Sequence, residues 1–231
     1  MKISKYFRNW PTPEDMPEDT LYNALRDRVV NGEFAPGQRL KPEDLRRDYG
    51  CSASTIRETL FRLSTVGLVD FQEQRGFRAP SCSEQLRHDL TLFRILLESE
   101  GACLSIRRGG IEWEARLSAA HHRLSHIESH VRQGQISAEL MTLWTEAELE
   151  FHKTLIGACG LESLKRTHET VYQQFRQQVI LGSSDFAFVP ENIEQHRGIL
   201  VAALNHDEAL VRRLIREHLS RNLIPELAAS A

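Results

Sequence analysis

The stretch SASTIRETLFRL, residues 52–63, decides how the first part of this chain folds. Its apolar residues recur at spacings of four and three, the period of a helix with one buried face, in the order Ile56, Leu60, Leu63. Ser52 or Ser54 can cap the start of this helix, because a hydroxyl oxygen can accept a hydrogen bond from a backbone N–H of the first turn. Gly67 is placed to end it. The stretch therefore predicts a helix that begins directly after a polar turn.

The segments on either side of this helix complete a recognisable order of elements. Helical spacing runs from Leu21 to Gly32, and the turn GEFAPGQRL (32–40) leads into a short helical segment, PEDLRRDYG (42–50). After the central helix, LVDFQEQRGFRAP (68–80) predicts two short strands around a turn at Arg75–Gly76. This is the order of a winged helix-turn-helix: helix, short helix, tight turn, helix and hairpin. The alternative is three small helices and a hairpin that only pack together.

Beyond Pro80 the strand signals end and helical spacing continues. It marks six segments, residues 84–107, 112–133, 137–158, 161–181, 190–205 and 207–222. We therefore predict a mainly α chain, with a winged helix-turn-helix DNA-binding domain over 21–80 and an all-α bundle of about six helices over 84–227. Residues 1–20 are polar and contain prolines, so we expect a flexible N-terminal arm.

Composition and charge exclude several classes of protein. The 231 residues carry a net charge of −3, and residues 1–80 contain 13 basic and 12 acidic side chains. A nucleic-acid site must therefore be a small local patch of basic side chains.

No apolar run reaches the roughly eighteen residues of a membrane span, and the start of the chain lacks a signal-peptide core, so we expect a cytoplasmic protein. The four cysteines form no CxxC pair and are expected to be reduced.

The predicted recognition helix supplies candidate DNA contacts, because the first residues of this helix reach base edges in the major groove. Arg57 can donate two hydrogen bonds to a guanine, and a salt bridge to Glu58 or Asp48 is the alternative. The remaining candidates are polar side chains or turn residues of this helix, the preceding helix and the wing tip: Ser52, Ser54, Thr55, Arg46, Arg47, Arg75 and Gly76. For Arg46 and Arg47 the alternative is a solvated helix face.

The histidines of the bundle separate by helix face. His122, His126 and His130 lie opposite the apolar stripe of their helix, so we expect them to be exposed despite their spacing of four.

His152, His196 and His218 instead lie on the apolar stripes of three different helices, and Glu148 shares a face with His152. A buried carboxylate is paired or binds a metal, because an isolated buried charge is costly. One carboxylate and three imidazoles fit a divalent Zn, Ni, Mn or Fe ion. The alternative is a set of core histidines satisfied by other side chains.

Two groups of motifs, one in each half of the chain, resemble a known family. The first group is GEFAPGQRL (32–40), SASTIRETLFRL (52–63), VGLV (66–69) and RGF (75–77). The second group is RILLESEGA (94–102), ELEFHKTLIGACG (148–160), EQHRGILVAAL (194–204) and REHL (216–219). Together they resemble the GntR family of bacterial transcription regulators, in its FadR-like branch with a helical FCD ligand-binding domain. RRGGIEWEA (107–115) and HLSRNLIPE (218–226) look closest to the CsiR-type members.

This resemblance implies a metal in the bundle that acts with an arginine to bind a small carboxylate effector. Arg94 matches the family's arginine, and an ion pair with Glu98 is the alternative. The family's first metal ligand is usually Asp or Asn, whereas this chain has Glu148, whose additional methylene leaves the identity or presence of the metal open. The family often has an arginine where this chain has Ala53, so one base contact is missing or replaced.

We therefore predict a DNA-binding transcriptional repressor that binds a palindromic operator as a homodimer and whose effector shifts the relative orientation of two DNA-binding heads. One alternative is a metal-dependent hydrolase built on the same Glu148 and histidine cluster, although four protein ligands would leave a tetrahedral zinc without an open position. The other is a DNA-binding protein whose bundle only dimerises.

Overall fold

The computed structural model describes residues 18–133, 137–182 and 191–225, and these residues form two compact units. The first unit contains residues 18–83 and 176–182, and the second contains residues 84–175 and 191–225. The predicted N-terminal arm, residues 1–20, lies almost entirely outside the described residues. The functional division of the chain at residues 21–80 and 84–227 stays a prediction.

Helices and a small sheet make up the first unit. Its elements are α1 (Glu18–Val30), β1 (Arg39–Leu40), α2 (Pro42–Tyr49), α3 (Ala53–Thr65), β2 (Asp70–Gln72) and β3 (Gly76–Arg78). The strands pair antiparallel in the order β1-β3-β2. This is the predicted winged helix-turn-helix, with β2 and β3 as the wing.

The helix predicted from residues 52–63 is α3, and its local causes are visible. Gly50 ends α2 in the left-handed conformation with φ +65°, and the Ser52 hydroxyl oxygen then accepts a hydrogen bond of 3.1 Å from the Thr55 backbone N–H. The apolar stripe of α3 is fully buried in the core of the first unit. The periodicity thus predicted both the helix and the face that it buries.

Strand β1 was not predicted, because the sequence indicated only a turn over residues 32–40. Leu40 pairs with Phe77 of β3, and both side chains are buried. A strand of two residues has no alternating pattern that a sequence could reveal. Pairing with β3 and burial in the core therefore determine this strand.

Six helices make up the described part of the second unit, and they confirm the predicted fold class. They are α4 (Glu84–Arg108), α5 (Ile111–Arg132), α6 (Ala138–Leu155), α7 (Glu162–Gly182), α8 (Glu191–Leu204) and α9 (Glu208–Ser220). Helices α4, α5, α6, α8 and α9 share one core, which includes Leu117, Phe151 and Ile215. Among the helices of the described ranges, none is long and apolar enough to cross a membrane.

Helix α7 belongs to both units: its residues up to Phe175 fall in the second unit and those from Arg176 in the first. In the first unit the buried Gln177 amide donates hydrogen bonds to the backbone oxygens of Leu68, at 3.0 Å, and Val29, at 3.4 Å. These bonds satisfy carbonyl groups that water does not reach. The end of α7 is therefore held within the first unit by buried hydrogen bonds.

Candidate DNA-reading surface and metal centre

The start of α3 presents an exposed polar surface. The side chains of Ser54, Thr55 and Arg57 are exposed, whereas the hydroxyl of Ser52 caps the helix and lies 2.8 Å from the Thr55 hydroxyl. Within the described residues no acidic group forms an ion pair with Arg57, and Asp48 pairs instead with Arg28 at 2.9 Å. The guanidinium of Arg57 is therefore available to a ligand.

A cavity of about 300 Å³ lies beside Arg57. Its lining residues are Ser54, Arg57, Glu58, Phe61, Phe71 and Phe77. The rings of Phe61 on α3 and Phe71 on β2 meet edge to face with centroids 5.8 Å apart, and Phe71 lies 4.9 Å from Phe77. These aromatic contacts hold the wing against the recognition helix.

The other predicted DNA contacts are exposed as well. Arg46 forms a surface ion pair of 2.9 Å with Glu43, which stabilises the helix little and can open for a phosphate. Arg47 is exposed on the same helix, and Arg75 lies in the wing turn that Gly76 closes with φ +76°. DNA contact by these residues stays a prediction.

The four predicted metal ligands converge in the second unit. One ligand atom from each of Glu148, His152, His196 and His218 lies within 4.8 Å of the other three. All four side chains are buried, and they come from α6, α8 and α9. The additional methylene of Glu148 thus does not keep its carboxylate out of the cluster.

Each histidine of this cluster has its Nδ1 within 3.2 Å of an oxygen of another side chain. For His196 and His218 this contact is a hydrogen bond, whereas for His152 it is a close ion-pair contact whose alignment is not that of a hydrogen bond. The three pairs are His152 with Glu98 Oε2 at 2.8 Å, His196 with Glu128 Oε1 at 3.2 Å, and His218 with Gln195 Oε1 at 3.0 Å. Histidines that bind metals almost always use their second ring nitrogen in this way, because the outer hydrogen bond fixes the tautomer and the ring orientation. The outer contacts leave Nε2 as the nitrogen that can bind a metal.

The second ring nitrogens of these histidines, Nε2, suit a metal. His152 Nε2 and His196 Nε2 are buried and have no hydrogen-bond partner in the described part of the chain, an arrangement that is costly unless a ligand fills it. Burial lowers the pKa of His152 despite the nearby Glu98 carboxylate. For His218, burial and then the neighbouring His196 and His152 hold the pKa well below its usual range. Both imidazoles are therefore neutral near pH 7, the form that binds a divalent cation.

Arg94 lies beside this cluster and forms the ion pair that the sequence left as an alternative. Its Nε donates to Glu98 Oε1 at 2.7 Å, and its guanidinium carbon lies 4.7 and 4.6 Å from the ring centroids of Tyr172 and Phe175. Burial disfavours the charged form of Glu98. Arg94, His152 and His168 all lie beside this carboxyl and nevertheless hold its pKa well below the usual range. Arg94 Nη2 is buried and has no partner among the described residues, so it can still donate to a ligand.

The sequence did not identify Glu98, Glu128 and Gln195 as partners of the metal ligands. Glu128 could have been found, because it follows Leu124 by four residues and so lies on the apolar stripe of α5, where a carboxylate needs a partner. Glu98 was considered only as a partner of Arg94. Gln195 precedes a predicted ligand directly, and no spacing distinguishes it from a surface glutamine.

Comparison with known families agrees with this geometry. Residues 89–221, more than half of the chain, match the FCD domain, and residues 17–78 match the family described as bacterial regulatory proteins, gntR family. The chain belongs to the GntR family. Its curated relatives support the same conclusion over most of the chain.

One relative of this GntR-family protein is the uncharacterized HTH-type transcriptional regulator BphR of Paraburkholderia xenovorans, 32% identical over 89% of this chain and 83% of the relative. Another is the HTH-type transcriptional repressor GlaR of Escherichia coli, 29% identical over 86% of this chain and 90% of the relative. The solved structure of E. coli McbR/YncC has the same fold, with a TM-score of 0.73 over 89% of this chain and 94% of that chain at 18% identity. The GntR-family protein is thus a DNA-binding transcriptional regulator, as its motifs predicted.

Proposed function

We propose that this regulator is a repressor that a small carboxylate releases from a palindromic operator when the carboxylate binds beside a divalent metal in the helical domain. The observation that carries the proposal is the buried cluster of Glu148, His152, His196 and His218, whose ligand atoms lie within 4.8 Å of one another. The buried Nε2 atoms of His152 and His196 support it, because histidines satisfied within a core would not leave these nitrogens without a partner among the described residues.

The residues of the site have separate roles in this proposal. Glu148 and the three histidines hold Zn, Ni, Mn or Fe, and the bound metal supplies a Lewis-acidic partner for a carboxylate oxygen. Arg94 donates from Nη2 to the same carboxylate. A charge-assisted hydrogen bond in a buried site is strong, so a small anion can be bound without a large contact area.

The DNA side of the proposal uses exposed groups of the first unit. Arg57 donates to a guanine, while Arg46, Arg47 and Arg75 reach phosphates or the minor groove. A homodimer would match the two halves of a palindrome. The exposed Phe93 and Leu96 of α4 support a face for the second copy, and similarity to the transcriptional repressor GlaR supports repression.

The experiment is carried out with protein purified without a histidine tag. Metal content, the melting temperature across a panel of small carboxylates, and operator binding with and without each carboxylate are measured together. We expect about one divalent ion per chain, a rise in melting temperature with one group of carboxylates, and loss of operator binding with the same group. His152→Ala should lose all three responses, whereas His126→Ala, in an exposed histidine outside the cluster, should keep them.

Other outcomes identify the other functions. Operator binding without metal or carboxylate effects would mean that the bundle only dimerises. Hydrolytic turnover that disappears in His152→Ala would instead identify a metal-dependent hydrolase and contradict the proposed function.

A further inference from the structure

Glu98 contacts two parts of the site at once. Its Oε2 lies 2.8 Å from Nδ1 of the predicted metal ligand His152. Its Oε1 accepts from Arg94 Nε at 2.7 Å and lies 3.0 Å from His168 Nε2. All four side chains are fully buried. A single carboxylate therefore fixes one metal ligand and the arginine that has a donor left for an anion.

Glu128 provides an internal comparison. It is also fully buried, and its Oε1 lies 3.2 Å from Nδ1 of the predicted ligand His196. Within the described residues, no guanidinium forms an ion pair with Glu128. Both glutamates thus hold a metal-binding histidine, but only Glu98 also holds Arg94.

We propose that Glu98 couples metal binding to carboxylate binding, whereas Glu128 positions a metal ligand alone. The inference rests on the proposed function of this site. When Nε2 of His152 is bound to a metal, its Nδ1 holds Glu98 in one orientation, and Glu98 in turn holds Arg94 with Nη2 free. A carboxylate then meets an arginine that has already lost its conformational freedom, which makes its binding more favourable. Because coupling between sites is reciprocal, a bound carboxylate also strengthens metal binding through Glu98.

The test compares Glu98→Gln with Glu128→Gln in the full-length protein, with Zn²⁺ as the metal and succinate as the carboxylate. Both variants should bind Zn²⁺ roughly 10- to 100-fold more weakly in competition with a chelator, because each loses an outer contact of a ligand. At saturating Zn²⁺, Glu128→Gln measures how a disturbed metal ligand alone changes succinate affinity, because Glu128 positions His196 and does not pair with Arg94. Glu98→Gln should bind succinate at least about fivefold more weakly than Glu128→Gln does, the lower bound of typical coupling. Equal succinate affinities in the two variants would refute the coupling.

A spectroscopic readout separates positioning from a general loss of structure. The ¹⁵N shifts of the histidine rings should show that Glu98→Gln changes the tautomer of His152 and leaves His196 unchanged, with the reverse result for Glu128→Gln. Changes at both rings in both variants would contradict separate positioning roles.

Removal of Glu98 leaves Arg94 buried without its carboxylate, so the single variant could fail to fold. The double variant, Arg94→Gln with Glu98→Gln, removes both partners of the ion pair at once. It is compared with Arg94→Gln alone. The double variant should bind Zn²⁺ roughly 10- to 100-fold more weakly than the single variant. Equal Zn²⁺ affinities would overturn the role of Glu98. If the unaltered protein binds neither zinc nor any carboxylate of the panel, the proposed function itself fails, and that outcome is distinct from equal behaviour of the two glutamate variants.

Discussion

Replacing His218 with alanine removes one donor of the predicted metal cage and leaves the other three in place. The His218 ring is buried, and its centroid lies 4.6 Å from that of His196 and 5.5 Å from that of His152. Because the side chain lies inside the second unit, the change should affect metal binding without altering the DNA-reading surface of α3.

The expected size of the effect follows from mass action. A metal at 100 times its dissociation constant stabilises the folded protein by about 2.7 kcal/mol if it binds only that state. If the loss of one of four donors weakens binding by about 100-fold, the same metal concentration stabilises by only about 0.4 kcal/mol. For a chain of this size, 1 kcal/mol corresponds to about 2–4 °C in melting temperature. The metal-dependent rise should therefore fall from about 5–11 °C to about 1–2 °C.

The assay is thermal unfolding of untagged protein, first stripped with a chelator and then supplied with zinc at a fixed concentration. His126→Ala is the control, since this exposed histidine lies outside the cluster and should leave the full rise intact. A metal-dependent rise in His218→Ala equal to that of the unaltered protein would refute the assignment of His218 as a ligand. An equal loss in both variants would place the metal elsewhere.

Three further changes test other parts of the structure. Arg57→Ala should cost about 1–3 kcal/mol of operator affinity and relax sequence preference at one base pair, measured by fluorescence anisotropy, while the carboxylate-induced rise in melting temperature stays intact. Gln177→Leu removes the side-chain donor from the Leu68 oxygen and from the Val29 oxygen, which keeps the Gly32 N–H at 3.3 Å, and should destabilise the protein by about 1–3 kcal/mol in urea unfolding; an unchanged midpoint would contradict these bonds. Gly101→Ala would place its new Cβ 2.8 Å from Ile156 Cγ2 and should lower the melting temperature. The matched control is Gly198→Ala, whose Cβ would lie 3.5 Å from its nearest neighbour and should not lower the melting temperature.

Periodicity predicted the helices and the burial of the three candidate histidine ligands, because both depend on which face of a helix is buried. His152, His196 and His218 lay on apolar stripes and are buried, whereas His122 and His126 lay opposite such a stripe and are exposed. The prediction was wrong for His130, which is half-buried near the end of α5. The argument needed only the constant rotation of about 100° per residue.

The outer contacts of the site could not be predicted in the same way. The bond from His218 to Gln195 joins two helices, and the contact between His196 and Glu128 joins residues 68 positions apart. Such pairs depend on how the helices cross, which local spacing does not encode. For Arg94 the sequence left an ion pair and an effector contact as alternatives, and the ion pair leaves one donor of the arginine without a partner in the described part of the chain.

The buried polar network has a consequence for how this domain can change in evolution. Each of the six described helices of the second unit contributes a side chain to it, in the order Glu98, Glu128, Glu148 with His152, His168, Gln195 with His196, and His218. Insertion of one residue within any of these helices would rotate everything beyond it by about 100° and shift it by about 1.5 Å, which would move its contribution out of the network. We therefore expect insertions and deletions in relatives that keep this network to fall between the helices, for example at residues 156–161 or 205–207.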